Sequence, residues 1–170
     1  MSKRDLKKYL VSLPKEDLEE QLLALYEKFA DVKAYYDFVF NPKEEKLEQE
    51  AKVKIANEYF PTKSKRPKLR RSVAQKYIKH FLTLGVDPFV LADVMLFNIE
   101  TAQKYSAKRE MRYGSFYKSM LNSYKQAVDY VAANGMAPNF KARIAAVQSE
   151  AFRQKWENMK EFERIYDNFE

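Results

Sequence analysis

From Tyr59 through Val86 the sequence contains no Asp or Glu, while Lys63, Lys65, Arg66, Lys68, Arg70, Arg71, Lys76 and Lys79 give that window a charge of +8. The whole chain carries +7, so the other 142 residues net to −1 and one segment makes the protein basic. Clustered ammonium and guanidinium groups suit phosphate oxygens, which they meet with charge-assisted hydrogen bonds. The run KSKRPKLRR at 63–71 leads into a helix whose start is marked by Ser72 and Gln75, spaced as a capping box. That register places Arg70 and Arg71 beside the positive end of a helix dipole, which is unfavourable by about 0.3–1 kcal/mol each unless an anion joins them. A helix start with two guanidinium forks makes a phosphate site. The expectation is a non-enzymatic binding module that contacts RNA or DNA phosphates through Lys63–Lys79.

The same residues admit two other readings. Asp93 lies in a greasy stretch, FVLADVMLF, and a carboxylate there needs a partner. Glu100 falls seven residues on, on the same side of a helix. An ion pair from Arg70 or Arg71 to Asp93 or Glu100 would explain both the arginines and the acids with no ligand. In the third reading the run is a solvated loop.

Other chemistry has less to stand on. The chain has no cysteine and one histidine, which excludes disulfides, thiolate metal sites and cysteine nucleophiles. No phosphate-binding glycine loop, dinucleotide fingerprint or carboxylate–histidine metal pair occurs. No catalytic residue, metal or cofactor is expected. His80 projects near Val73, Tyr77 and Leu84 and reads as a packed rim residue. An enzyme acting on a phosphorylated small molecule would need Arg70, Arg71 and His80 in one pocket. Between Lys104 and Lys118, Lys108, Arg109, Arg112 and Lys118 alternate with Tyr113, Phe116 and Tyr117. Rings among cations can stack on unpaired bases, but Phe116 and Tyr117 are better placed for a core. The stretch YYDFVF, Tyr35 to Phe40, is denser in rings than one helix face can bury, which points to a protein partner or a homodimer.

These groups must be positioned by helices. The chain has 170 residues and 20.2 kDa, with 46% hydrophobic and 32% charged residues and three glycines. That is too apolar for a disordered chain, too charged for a membrane one and poor in the glycine that tight strand turns use. Helical periodicity runs almost throughout. Ser2 caps a first helix, and Pro14 opens a second with Leu18, Leu22, Leu25 and Phe29 on one face. A third ends at Asn41-Pro42. The fourth, from about 43 to 59, has Glu48–Lys52 and Glu50–Lys54 as pairs one turn apart. Gly85 ends the helix after the basic run, Asp87-Pro88 caps the next, and Asn134-Gly135 closes the one after. The last begins near Asn139, runs toward the C-terminus and bends near Ser149. The expected fold is all-α, one domain over 1–170, a bundle or short array of seven to eight helices. A sub-division would run 1–60, a basic loop at 61–71, and 72–170. No apolar run suits a signal peptide or a membrane span, so a cytoplasmic location is expected.

The opening SKRDLKKYL, YYDFVFNP at 35–42, RRSVAQK at 70–76 and LGVDP at 84–88 resemble an uncharacterised family of small bacterial proteins. The resemblance covers most of the chain. It implies a bacterial cytoplasmic protein of this length with no assigned activity, and it carries over no catalytic or binding residue.

Overall fold

Ser2 opens the first helix as a capping box: its Oγ accepts the Asp5 amide at 3.2 Å while an Asp5 carboxylate oxygen accepts the Ser2 amide at 3.1 Å. In the computed structural model, which describes all residues except Ser64, Lys65, Glu110, Arg112 and Glu170, that helix is α1 (Lys3–Ser12). It is followed by α2 (Lys15–Lys28), α3 (Ala30–Phe40), α4 (Glu44–Tyr59), α5 (Arg71–Leu84), α6 (Pro88–Ser106), α7 (Gly114–Ala133), α8 (Ala137–Arg153) and α9 (Met159–Asp167). Among the described residues the fold is all-helical, with nine helices rather than seven or eight. The chain groups into two compact units, Met1–Pro42 and Lys43–Glu170.

In the first unit α2 and α3 meet through a 2.9 Å hydrogen bond from the Tyr26 hydroxyl to Asp37 and an edge-on contact of Tyr26 with Tyr36 at 6.5 Å. The Tyr9 hydroxyl accepts from the Gln21 amide at 3.2 Å, tying α1 to α2. None of the residues in these three helices is buried. The apolar stripe of α2 is intact as a pattern, yet Leu22, Leu25 and Phe29 each remain more than two-fifths exposed.

The second unit is built around α6. Eleven of its residues are buried, from Leu91 to Tyr105, including Asn98, Thr101 and Gln103. A helix apolar nearly all round must be enclosed, and α4, α5, α7 and α8 pack on it. Its one half-exposed stripe is Asp93, Phe97 and Glu100. A second cluster is aromatic: Trp156 meets Phe116 at 5.7 Å and Phe162 at 5.5 Å, and Tyr124 stacks on Phe162 at 4.8 Å. Here α9 closes over α7 and α8.

Three helices of this unit end the same way. At Gly85 (φ 71°), Gly135 (φ 67°) and Lys155 (φ 55°) the backbone turns left-handed. The amide of the next residue, Val86, Met136 or Trp156, then donates back to the carbonyl of Phe81, Val131 or Ala151. This is the Schellman end, and each of those next residues is buried, completing the apolar contact that accompanies it. The third such end corrects the expected single C-terminal helix. The break falls at Gln154–Asn158 instead of a bend at Ser149, and it yields the ninth helix. No glycine marks it because a lysine occupies the left-handed position, held there by the burial of Trp156.

Candidate anion-binding cleft

The basic segment is tied down by a residue that lies one position before the acid-free window. Glu58, in the last turn of α4, is 7% exposed. Its main-chain carbonyl accepts the amides of Lys68 at 3.0 Å and Leu69 at 3.1 Å. Its carboxylate accepts the Arg70 amide at 3.1 Å, Arg70 Nε at 3.0 Å and Arg70 Nη2 at 2.7 Å. The forked bonds from Arg70 hold the Glu58 carboxyl below its usual range, against the opposing effect of burial. Leu69 takes a left-handed φ of 55° in this tether.

Arg70 is the N-cap of α5 and Arg71 its first residue, so the capping box expected at Ser72 and Gln75 does not form. The helix starts two residues earlier because Glu58 supplies the carboxylate that caps it from α4. An anion does meet the helix start, and it is the chain's own. Gln75 donates instead to Gln126 of α7 at 2.9 Å.

Arg71 turns the other way. It is half-buried and its Nε donates to Ser123 Oγ of α7 at 2.9 Å; desolvation lowers the pKa of its guanidinium. Neither arginine reaches α6. The arginine that meets Asp93 and Glu100 is Arg143 of α8: it ion-pairs with Asp93 and grips Glu100 with Nε at 2.5 Å and Nη2 at 2.9 Å. Lys52 of α4 reaches the other Asp93 oxygen at 2.5 Å and Glu48 at 2.6 Å. Burial alone would raise the Asp93 pKa, but Lys52 and Arg143 together hold it low. The pairing expected for Asp93 and Glu100 therefore exists with different partners, because α8 and α4, not the basic segment, flank the polar stripe of α6.

What the tether creates is a cleft of about 420 Å³ between the end of α4 and the basic segment. Lys54, Lys63, Arg66, Lys68 and Arg70 line it together with Asn57, Pro61, Thr62, Val73 and Glu58. Glu58 is the one carboxylate among these, and Arg70 already holds it. Lys63, Arg66, Lys68 and Arg70 are exposed, as are Lys76 and Lys79 on α5; Lys65 lies outside the described residues. Lys76 follows the cleft residue Val73 by one helical turn and extends the charged surface along α5.

Two of these positions were not legible beforehand. Glu58 adjoins the window without entering it. Lys54 reads as the partner of Glu50, but Glu50 accepts the Tyr77 hydroxyl at 3.1 Å and Lys54 lines the cleft. The expected Glu48–Lys52 pair does form. His80 is exposed and stands beside Phe81 at 6.5 Å; neither it nor Arg71 lines the cleft, so the three groups of a phosphate-ester pocket do not converge. In the second basic–aromatic segment Phe116 is buried, Tyr117 packs on Trp156 at 5.5 Å, and Arg109 lies over the Tyr105 ring at 5.0 Å. Arg112 lies outside the described residues.

Among the described residues no group of three or more metal-ligating side chains occurs, and no helix is long and apolar enough to cross a membrane. No curated protein and no solved structure matches the chain. A family model described as "Family of unknown function (DUF6155)" matches residues 1–170, its whole length, and the chain belongs to that family.

Proposed function

We propose that the protein is a non-enzymatic module that binds the phosphate backbone of RNA or DNA in the cleft between α4 and the basic segment. One observation carries the reading: Lys54, Lys63, Arg66, Lys68 and Arg70 line one cleft whose sole carboxylate among the described residues is already engaged. Such a surface repels itself, and phosphate oxygens relieve that repulsion while releasing condensed counterions. The lysines make the contacts, Lys54, Lys63 and Lys68 in the cleft and Lys76 and Lys79 along α5; Arg70 serves as the wall that Glu58 holds in place. Contacts of this kind position a strand without reading its sequence.

The test is fluorescence anisotropy with short single-stranded RNA, single-stranded DNA and duplex DNA, using nuclease-treated protein. If five cations meet duplex phosphates, log K falls against log salt with a slope of about −4.5, and about −3.5 for a single strand. The variant Lys63→Ser, Lys65→Ser, Arg66→Ser, Lys68→Ser loses binding at least tenfold. A slope near zero, or no binding at about 50 mM salt, would sink the proposal.

A protein-interaction surface on the N-terminal helices is the second reading. It is supported by a separate observation, the absence of any buried residue in α1, α2 and α3.

A further inference from the structure

The N-terminal unit is left with apolar faces that its own three helices do not cover. Leu6, Tyr9 and Leu10 on α1, Leu22 and Leu25 on α2, and Tyr35 and Val39 on α3 are each about two-fifths to one-half exposed, and Phe40 is 83% exposed. In the Lys43–Glu170 unit the exposed large apolar residues are Val53, Phe60, Leu82, Phe89 and Tyr113, on five different segments. A core-building chain of about 40 residues is at the limit below which oligomerisation or cross-links are needed. Four rings, Tyr9, Phe29, Tyr35 and Phe40, are between 41% and 83% exposed. At about 200 Å² per ring they alone offer roughly 400 Å², half of what each partner covers in a stable complex.

Charge identifies the occupant. In α1, Lys3, Arg4, Lys7 and Lys8 against Asp5 give +3; in α2, Glu16, Asp17, Glu19, Glu20 and Glu27 against Lys15 and Lys28 give −3. Two of the α1 cations, Lys3 and Arg4, stand in the first turn of the helix, where the dipole disfavours them. All of these side chains are exposed, and among the described residues no ion pair joins α1 to α2 within the chain; Lys15–Glu19 is internal to α2. A surface that carries both an unmatched positive helix and an unmatched negative helix complements itself across a two-fold axis.

We infer that the N-terminal unit is a homodimerisation module, in which α1 of one copy lies on α2 of the other and the leucine and ring stripes form the shared core. The inference rests on the second reading above and commits it to a second copy of this chain. Burial drives the association and charge sets its register, so the dimer survives high salt.

Light scattering after size exclusion tests this on the full chain at low and high salt. The expected mass is twice 20.2 kDa. Phe40→Ser, at a position that contributes little to the fold of the unit, and Leu22→Glu each weaken dimerisation at least tenfold without changing the melting of the Lys43–Glu170 unit. A charge-reversal pair locates the register: one variant carries Lys3→Glu, Arg4→Glu, Lys7→Glu and Lys8→Glu, the other Glu16→Lys, Asp17→Lys, Glu19→Lys and Glu20→Lys. Each alone is monomeric, and the mixture forms a heterodimer. A wild-type monomer at about 100 µM, a hundredfold above a micromolar Kd, overturns the inference. So does a dimer indifferent to Phe40→Ser and Leu22→Glu. An apolar dye separates the two claims: a monomer that binds dye, and loses it in Leu22→Glu, overturns the second copy but keeps an interaction surface. A monomer that binds no dye removes both.

Discussion

The two units of this chain spend similar helical sequence in opposite ways. In Lys43–Glu170 a nearly all-apolar helix, α6, is enclosed by its neighbours, and Trp156, Phe162, Tyr124, Ile99 and Ile144 are essentially inaccessible. In Met1–Pro42 the stripes on α1, α2 and α3 are just as regular and nothing is buried. Periodicity therefore specifies a helix and its apolar side, but burial requires enough other helices to surround it. Charge follows the same division. The larger unit brings its buried and half-buried acids into pairs, Glu58 with Arg70 and Asp93 and Glu100 with Arg143, whereas the smaller keeps +3 and −3 on separate helices.

Side-chain truncation separates the two units most sharply. Trp156→Ala should cost about 3–5 kcal/mol by denaturant unfolding, because it empties the aromatic cluster and removes the buried anchor of the α8 end. In the monomer, at protein concentrations too low for dimerisation, Leu25→Ala, 44% exposed in the first unit, should cost under about 1 kcal/mol. A comparable cost at both sites under that condition would mean that the N-terminal stripes are buried within the single chain.

An intermediate effect separates the paired charges from the unpaired ones. Arg143→Ala leaves Glu100 and one side of Asp93 without their cation; with these groups about a quarter exposed, the loss is about 2 kcal/mol at pH 7. The pH dependence follows from the lowered Asp93 and Glu58 values. A carboxyl depressed by folding contributes stability above its ordinary pKa of about 4 and loses it as pH falls through the depressed value. Wild type should thus lose stability on acidification below about pH 4, and Arg143→Ala should flatten that limb. Parallel acid profiles for the two proteins would show that Arg143 does not hold Asp93 down.

The smallest effect is a gain. Lys155 occupies a left-handed position that costs an L side chain roughly 1–2 kcal/mol and a glycine almost nothing. Lys155→Gly should raise stability by about 0.5–1 kcal/mol, visible as a melting shift of a few degrees. The same substitution at Lys28, the end of α2, has no left-handed residue to relieve and should not stabilise.

Much of the fold was legible residue by residue. Ser2, Asp87, Gly85 and Gly135 start or stop helices through bonds that span two to five residues, and such bonds are written locally. The helix end at Lys155 was hidden because its cause, the buried Trp156, is a tertiary one. The charge surplus between Tyr59 and Val86 was likewise plain, and so was the need of Asp93 for a partner. What sequence could not say was which arginine answers which acid. Arg70 reaches back 12 residues to Glu58, and Arg143 reaches 50 residues to Asp93 and 43 to Glu100.

By itself, then, the sequence determined an all-helical chain, its basic segment, and amphipathic N-terminal helices rich in rings. Only the tertiary structure decided that Glu58 caps α5 and folds the basic run into a cleft, that Arg71 turns to α7, and that the first 42 residues bury nothing. The physical reason is range. Caps and stripes depend on neighbours along one helix, whereas ion pairing and burial depend on which helix faces arrive together once every helix has packed.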